Sequence, residues 1–121
     1  MLLKDFYKVN DLVIAEDLAT ASITINKNHD VFKGHFPGNP VTPGVCMMQI
    51  IKELTEQVVQ KKLFMESASN VKFMAIINPE NTPDLDLTLD ILKTDSGYRV
   101  KNTTAFGETM ALKLTTNYKC I

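Results

Sequence analysis

The eleven residues from Gly34 to Gly44 hold three of the chain's five Gly and three of its five Pro, and Val45 to Ile51 directly after them is apolar at every position except Gln49. Proline fixes its own backbone and restricts the residue before it, so this stretch reads as a stiff, shaped loop. The loop runs into the start of a helix, with Thr42 as N-cap and Pro43 at the first helical position. The pattern predicts a helix from about Gly44 to Leu63. Its first turns demand burial on every side. Its second half is amphipathic: Leu54, Val58 and Val59 continue an apolar stripe, while Lys52, Glu53, Glu56, Gln57, Gln60, Lys61 and Lys62 face water.

Strand signals surround that helix. Ala19, Ala21, Ile23 and Ile25 alternate with Thr20, Ser22, Thr24 and Asn26, the period of a strand with one buried face. Leu85, Leu87, Leu89 and Ile91 alternate with Asp84, Asp86, Thr88 and Asp90, and Asp95-Ser96-Gly97 offers a turn before Tyr98 to Phe106 runs back. After a second turn at Gly107-Glu108, Met110, Leu112 and Leu114 alternate with Ala111, Lys113 and Thr115. Val71 to Ile77 is apolar enough to be expected buried on both faces. Short connections argue antiparallel pairing. The expected class is α+β: one domain, 1–121, with a curved antiparallel sheet of about five strands wrapped around one long central helix. Such a layer leaves a sheet edge and face unused, so a homodimer is expected.

Composition narrows the function classes. The 121 residues give one core and no space for a second. Thirteen Lys and Arg against fourteen Asp and Glu leave a net charge of −1, so no global field favours nucleic acid or an anionic membrane. The longest apolar run, Phe73 to Ile77, is far shorter than the ~20 residues of a membrane span, and a cytoplasmic location is expected. Cys46 and Cys120 with His29 and His35 make no zinc spacing, so neither a metal nor another cofactor is expected and both cysteines read as small buried hydrophobes.

The chemistry concentrates where the Pro-Gly loop meets the helix. The free N–H groups of a first helical turn, at the positive end of the helix dipole, suit a carbonyl oxygen that gains negative charge in a transition state. Gly44 lets a substrate approach that backbone. His35, near-neutral by type, is placed to take a proton alpha to the polarised carbonyl. By residue type alone, a loop histidine held by its neighbours is the competing role.

Gly34-His35-Phe36-Pro37-Gly38-Asn39-Pro40-Val41, then Pro43-Gly44-Val45, closely resembles the signature of the 3-hydroxyacyl-acyl carrier protein dehydratases, and weaker likeness extends through the helix into Val71-Lys72-Phe73. The resemblance implies the hotdog fold. It also implies dimers, or higher oligomers of dimers, with an acyl tunnel at the subunit interface, and conversion of a 3-hydroxyacyl thioester to a trans-2-enoyl thioester in fatty acid or related acyl-chain biosynthesis. The substrate would arrive as a phosphopantetheine thioester on acyl carrier protein or as acyl-CoA. On that likeness His35 falls on the catalytic histidine, and Gly44 falls on the carbonyl-binding amide with Val45 beside it. Phe36, Met48 and Phe73 become candidates for the acyl path, with Met47 and Met74 as further lining, and Lys33 and Lys72, with Arg99, for docking an acidic carrier protein.

Two departures stand out. Asn78-Pro79-Glu80-Asn81-Thr82-Pro83 replaces the usual Gly-containing turn, and Gln49 occupies the position, fourteen residues after the histidine, where the family has Glu or Asp. An amide donates hydrogen bonds or places a water but has no proton to exchange at neutral pH. Either His35 serves as both base and acid, or the reaction differs, as in a hotdog thioesterase, or the chain is an acyl-binding accessory subunit. Gln49 also has a structural alternative, a hydrogen bond to a loop carbonyl.

Overall fold

The computed structural model describes residues 5–33 and 41–121, with the side chain of Lys33 left out. Strands β1 (Tyr7–Ala15) and β2 (Leu18–Ile25) lead through a short 3-10 turn, Asp30–Lys33, towards helix α1 (Gly44–Val59). Four strands come after the helix: β3 (Leu63–Phe73), β4 (Asp84–Lys93), β5 (Gly97–Phe106) and β6 (Thr109–Cys120). All six strands join one antiparallel sheet in the order β1-β2-β4-β5-β6-β3.

The alternation read from the sequence is the reason for the middle of this sheet. Ala19, Ala21, Ile23 and Ile25 of β2 and Leu85, Leu87, Leu89 and Ile91 of β4 are buried on one face. Val100 of β5 and Leu112 and Leu114 of β6 extend that face, but Met110, read with them from the sequence, is exposed and Ala111 is buried instead, where the β5–β6 register shifts between Thr104 and Ala105. The opposite face is polar: the Ser22 hydroxyl donates to Asp86 Oδ1 at 2.8 Å and the Thr24 hydroxyl to Asp84 Oδ1 at 2.6 Å, cross-strand pairs that pin the β2–β4 register. Helix α1 lies on the apolar face and inserts Cys46, Met47, Ile50, Ile51, Leu54 and Thr55 into it. Each large side chain so buried contributes about 1.5–3 kcal/mol.

Several expectations need correction. The helix is buried on one side only, since Val45 is 64% exposed; the sheet covers one face of α1 and nothing among the described residues covers the other at that turn. Its N-cap is Pro43, extended at φ −63° and ψ 145°, with no side-chain cap bond. Thr42 lies one residue too early to cap, and its buried hydroxyl has no partner among the described residues. The helix also ends before Leu63, because Gln60 adopts the left-handed conformation at φ 56° and its N–H donates to the Glu56 carbonyl at 2.8 Å. Glu56 Oε2 then accepts the Leu63 N–H at 2.9 Å, turning the chain into β3. No Gly or Pro marks that stop, which is why the helical pattern continues past it.

Strands β1 and the first part of β3 escape an alternation reading because they are the two sheet edges and are mostly exposed. For the same reason Val71 to Ile77 is not buried on both faces: Val71, Phe73, Met74 and Ile76 are exposed, and only Ile77 is deeply buried. Cys46 is buried as expected, but Cys120 is exposed at the end of β6. Among the described residues no helix is long and apolar enough to cross a membrane.

Candidate functional site

At the N-terminus of α1, Val41–Gly44 and Phe73–Ile77 enclose a mainly apolar cleft of ≈ 510 Å³. That size falls in the range of small-molecule sites. Its two walls are tied by the Thr42 N–H, which donates to the Ile77 carbonyl at 2.9 Å. The far wall is anchored in turn to β6, where the Ala111 carbonyl accepts from the Met74 N–H at 2.8 Å and the Ala75 N–H at 3.3 Å.

The helix start borders this cleft at Gly44 and leaves donors unused. The Pro43 carbonyl accepts from the Cys46 and Met47 N–H groups at 3.0 and 3.2 Å, but the N–H groups of Gly44 and Val45 meet no acceptor among the described residues. Glycine at 44 also has a packing reason. A Cβ there would stand 2.8 Å from Cζ of Phe73, whose ring lies over the helix start. Gly44 and Phe73 of the predicted substrate residues therefore come together in one cleft.

Other predicted residues lie elsewhere. Val45 stands exposed on the outer side of the first turn, and Met48 is half-buried against the core. Cys46 is buried in the core, and burial raises its thiol above the usual range, which keeps it protonated and a packing residue. Lys72 is exposed on β3 opposite Lys113 of β6 in the register. Arg99 is on β5, where its Nε donates to Asn117 Oδ1 at 3.2 Å. Lys33 closes the 3-10 turn. His35 and Phe36 lie outside the described residues.

Gln49 is not buried in an apolar pocket, and among the described residues it bonds to no loop carbonyl. It is half-buried on the outer side of α1, and its Nε2 donates to Glu53 Oε2 at 2.9 Å. The other oxygen of that carboxylate, Oε1, accepts the Tyr7 hydroxyl at 2.8 Å. Burial first, and the neighbouring Glu53 second, hold the Tyr7 phenol far above its usual range, so it is a hydrogen-bond donor throughout the physiological range. Sequence reasoning singles out neither Glu53 nor Tyr7. The available signal is the four-residue spacing of Gln49 and Glu53, which puts both on one helix face; the contact with Tyr7 spans 46 positions and leaves no local trace.

Comparison with known proteins agrees with this geometry. The ApeI-like family model, described as ApeI dehydratase, matches residues 12–111. The chain is 34% identical over 116 residues to the 3-hydroxyacyl-[acyl-carrier-protein] dehydratase FabZ of Oenococcus oeni, covering 89% of this chain and 81% of that protein. To the enzyme of the same name from Latilactobacillus sakei it is 32% identical over 99 residues, covering 76% of this chain and 71% of the other. Among solved structures, a chain of the dehydratase heterocomplex ApeI:P from Xenorhabdus doucetiae superposes with a TM-score of 0.79 at 18% identity, covering 93% of this chain and 96% of that one. One helix on a six-stranded antiparallel sheet, with a cleft where the helix begins, is the hotdog fold, and this chain belongs to the ApeI-like dehydratase family.

Proposed function

We propose that the chain dehydrates 3-hydroxyacyl thioesters to trans-2-enoyl thioesters, carried on acyl carrier protein, in fatty acid or related acyl-chain biosynthesis. The observation that carries this reading is the apolar cleft at the helix start, with Gly44, whose N–H meets no acceptor among the described residues, in its lining. A thioester oxygen received by the Gly44 amide gains charge as the C2 proton leaves, and the helix dipole stabilises it. His35 accepts that proton, the C3–O bond breaks, and the same imidazolium returns the proton to the departing oxygen. Products are the enoyl thioester and water, and His35 ends neutral as it began. Gln49 then holds the C3 hydroxyl without exchanging a proton.

The same reading places a second hotdog chain along the free edge of β3. Phe64, Val71, Phe73, Met74 and Ile76 leave that edge apolar and exposed, a surface suited to burial against another subunit. The neighbour from Xenorhabdus is itself a heterocomplex, so the paired chain is either a second copy or a different hotdog subunit. Lys72 beside Lys113 offers positive charge for an acidic carrier protein.

The deciding experiment incubates the protein with 3-hydroxyacyl-acyl carrier proteins of several chain lengths and follows the loss of water by mass spectrometry. Enoyl product that disappears in His35→Ala supports the assignment. Intact substrate at every chain length would overturn it, and release of free carrier thiol would make the chain a thioesterase.

A further inference from the structure

Gln49 is held by a network that reaches the opposite edge of the sheet. Tyr7 begins β1, whereas Gln49 and Glu53 are successive outer-face residues of α1, one turn apart. The Glu53 carboxylate receives the Tyr7 O–H at one oxygen and the Gln49 amide at the other, at 2.8 and 2.9 Å. A side-chain amide is ambiguous by itself, because its two ends are nearly the same size. Here the carboxylate removes the ambiguity: the flipped amide would press Oε1 against Oε2 of Glu53 and exchange a charge-assisted hydrogen bond for repulsion. Nε2 is therefore committed to Glu53, and Oε1 faces away from it as an acceptor.

We propose that Glu53, anchored by Tyr7, is a positioning residue that fixes the Gln49 amide so that its carbonyl oxygen accepts the C3 hydroxyl of the substrate. This rests on the dehydratase reading for the identity of the hydroxyl. The assignment explains why an amide serves at a position where the wider family resemblance leads one to expect an acid. A hydroxyl that donates to Gln49 is oriented with its lone pairs open to a proton delivered from elsewhere, which suits a single histidine acting in both directions. Glu53 touches neither substrate nor reacting atoms in this scheme; its effect passes entirely through Gln49.

The test compares binding of a 3-hydroxyacyl pantetheine amide, whose C2 proton is too weakly acidic for elimination, with that of the 3-deoxy amide, by calorimetry on the full chain, so that it does not depend on turnover. The wild type is expected to prefer the hydroxylated ligand by about tenfold, the value of one well-made hydrogen bond. Glu53→Leu, which leaves both partners without an acceptor, should abolish the preference while affinity for the 3-deoxy analogue stays within about twofold. Tyr7→Phe, which deletes one hydroxyl and is the safer variant for folding, should reduce the preference to about threefold. In the Gln49→Ala background neither change should have any further effect. A wild type without preference, an unaltered preference in Glu53→Leu or Tyr7→Phe, or effects that persist in Gln49→Ala would each overturn the proposal. A wild type that discriminates between the ligands but releases no water from the 3-hydroxyacyl thioesters would sink the dehydratase assignment and leave the positioning role standing.

Discussion

Met47, Ile50, Ile51 and Leu54 run down one side of α1 with no exposed surface, whereas Val45, Gln49 and Glu53, spaced four residues apart, run down the other side in partial or full contact with solvent. The inner side is specified by volume: any apolar group of the right size fills it, and the sheet decides the rest. The outer side is specified by direction, through two hydrogen bonds on one carboxylate. Stability and chemistry are thus carried by opposite sides of the same four turns, and substitutions should separate them.

The largest expected effect is on the packed side. Leu54→Ala should lower unfolding stability by about 2–5 kcal/mol in urea titration while leaving turnover per folded molecule unchanged. A matched loss of specific activity would break the separation. Gly97→Ala should cost about 3 kcal/mol, because a Cβ there meets the Tyr118 carbonyl and stands 2.8 Å from Cα of Lys119, both backbone that cannot yield. Gly44 is the sharper contrast, since its obstacle is the tip of the exposed Phe73 ring.

Tyr118 tests the packed side by pH. Burial pushes its phenol up to about 12 from 10.0, the nearby Thr116 hydroxyl pulls it slightly back, and the geometry is too poor for either hydroxyl to count as hydrogen-bonded among the described residues. The unfolded chain ionises this group first, so its contribution is complete below pH 10 and is lost as pH rises through 12. Tyr118→Phe should therefore flatten the fall in stability across that window by about 2 kcal/mol, and at neutral pH should leave stability equal or about 1 kcal/mol higher.

On the open side the effects should be kinetic. Gln49→Glu sets a second carboxylate against Glu53 and removes the N–H donor, so turnover should fall about tenfold with stability changed by less than about 1 kcal/mol. A rise in turnover would mean that the site works as an ordinary acid–base pair and that the amide has no role of its own. Gly44→Ala should be smallest in stability, about 0.5 kcal/mol, yet it displaces Phe73 into the cleft and should lower kcat/KM several-fold.

The same contrast explains what is legible in the sequence. β2 and β4 can be read closely because each has covered neighbours and a strict alternation that only one register satisfies, whereas β6 slips at its start, where Ala111 and Leu112 are both buried. β1 and β3 cannot, because a strand with a free edge carries no such constraint, and Ser67, Ala68, Ser69 and Asn70 look like loop residues. Gln49 announces itself as one polar residue in an apolar run. Its partner Glu53 does not, since a glutamate on the wet half of a helix resembles every other solvated charge until Tyr7 closes on it from a distant strand. The Pro-Gly loop is the clearest motif, and its histidine lies outside the described residues.

Strand order has a consequence for how the chain comes off the ribosome. Among the described strands β3 pairs only with β6, although the β4 and β5 segments intervene in the sequence. During synthesis, Phe64, Val71 and Phe73 therefore emerge well before β6, their partner among the described strands, exists. β4, β5 and β6 form a meander of adjacent hairpins and can pair as they appear, whereas β3 must wait for long-range closure. The edge that suits a second subunit is thus also the segment that stays unpaired longest in the nascent chain, and assembly and synthesis place their demands on the same eleven residues.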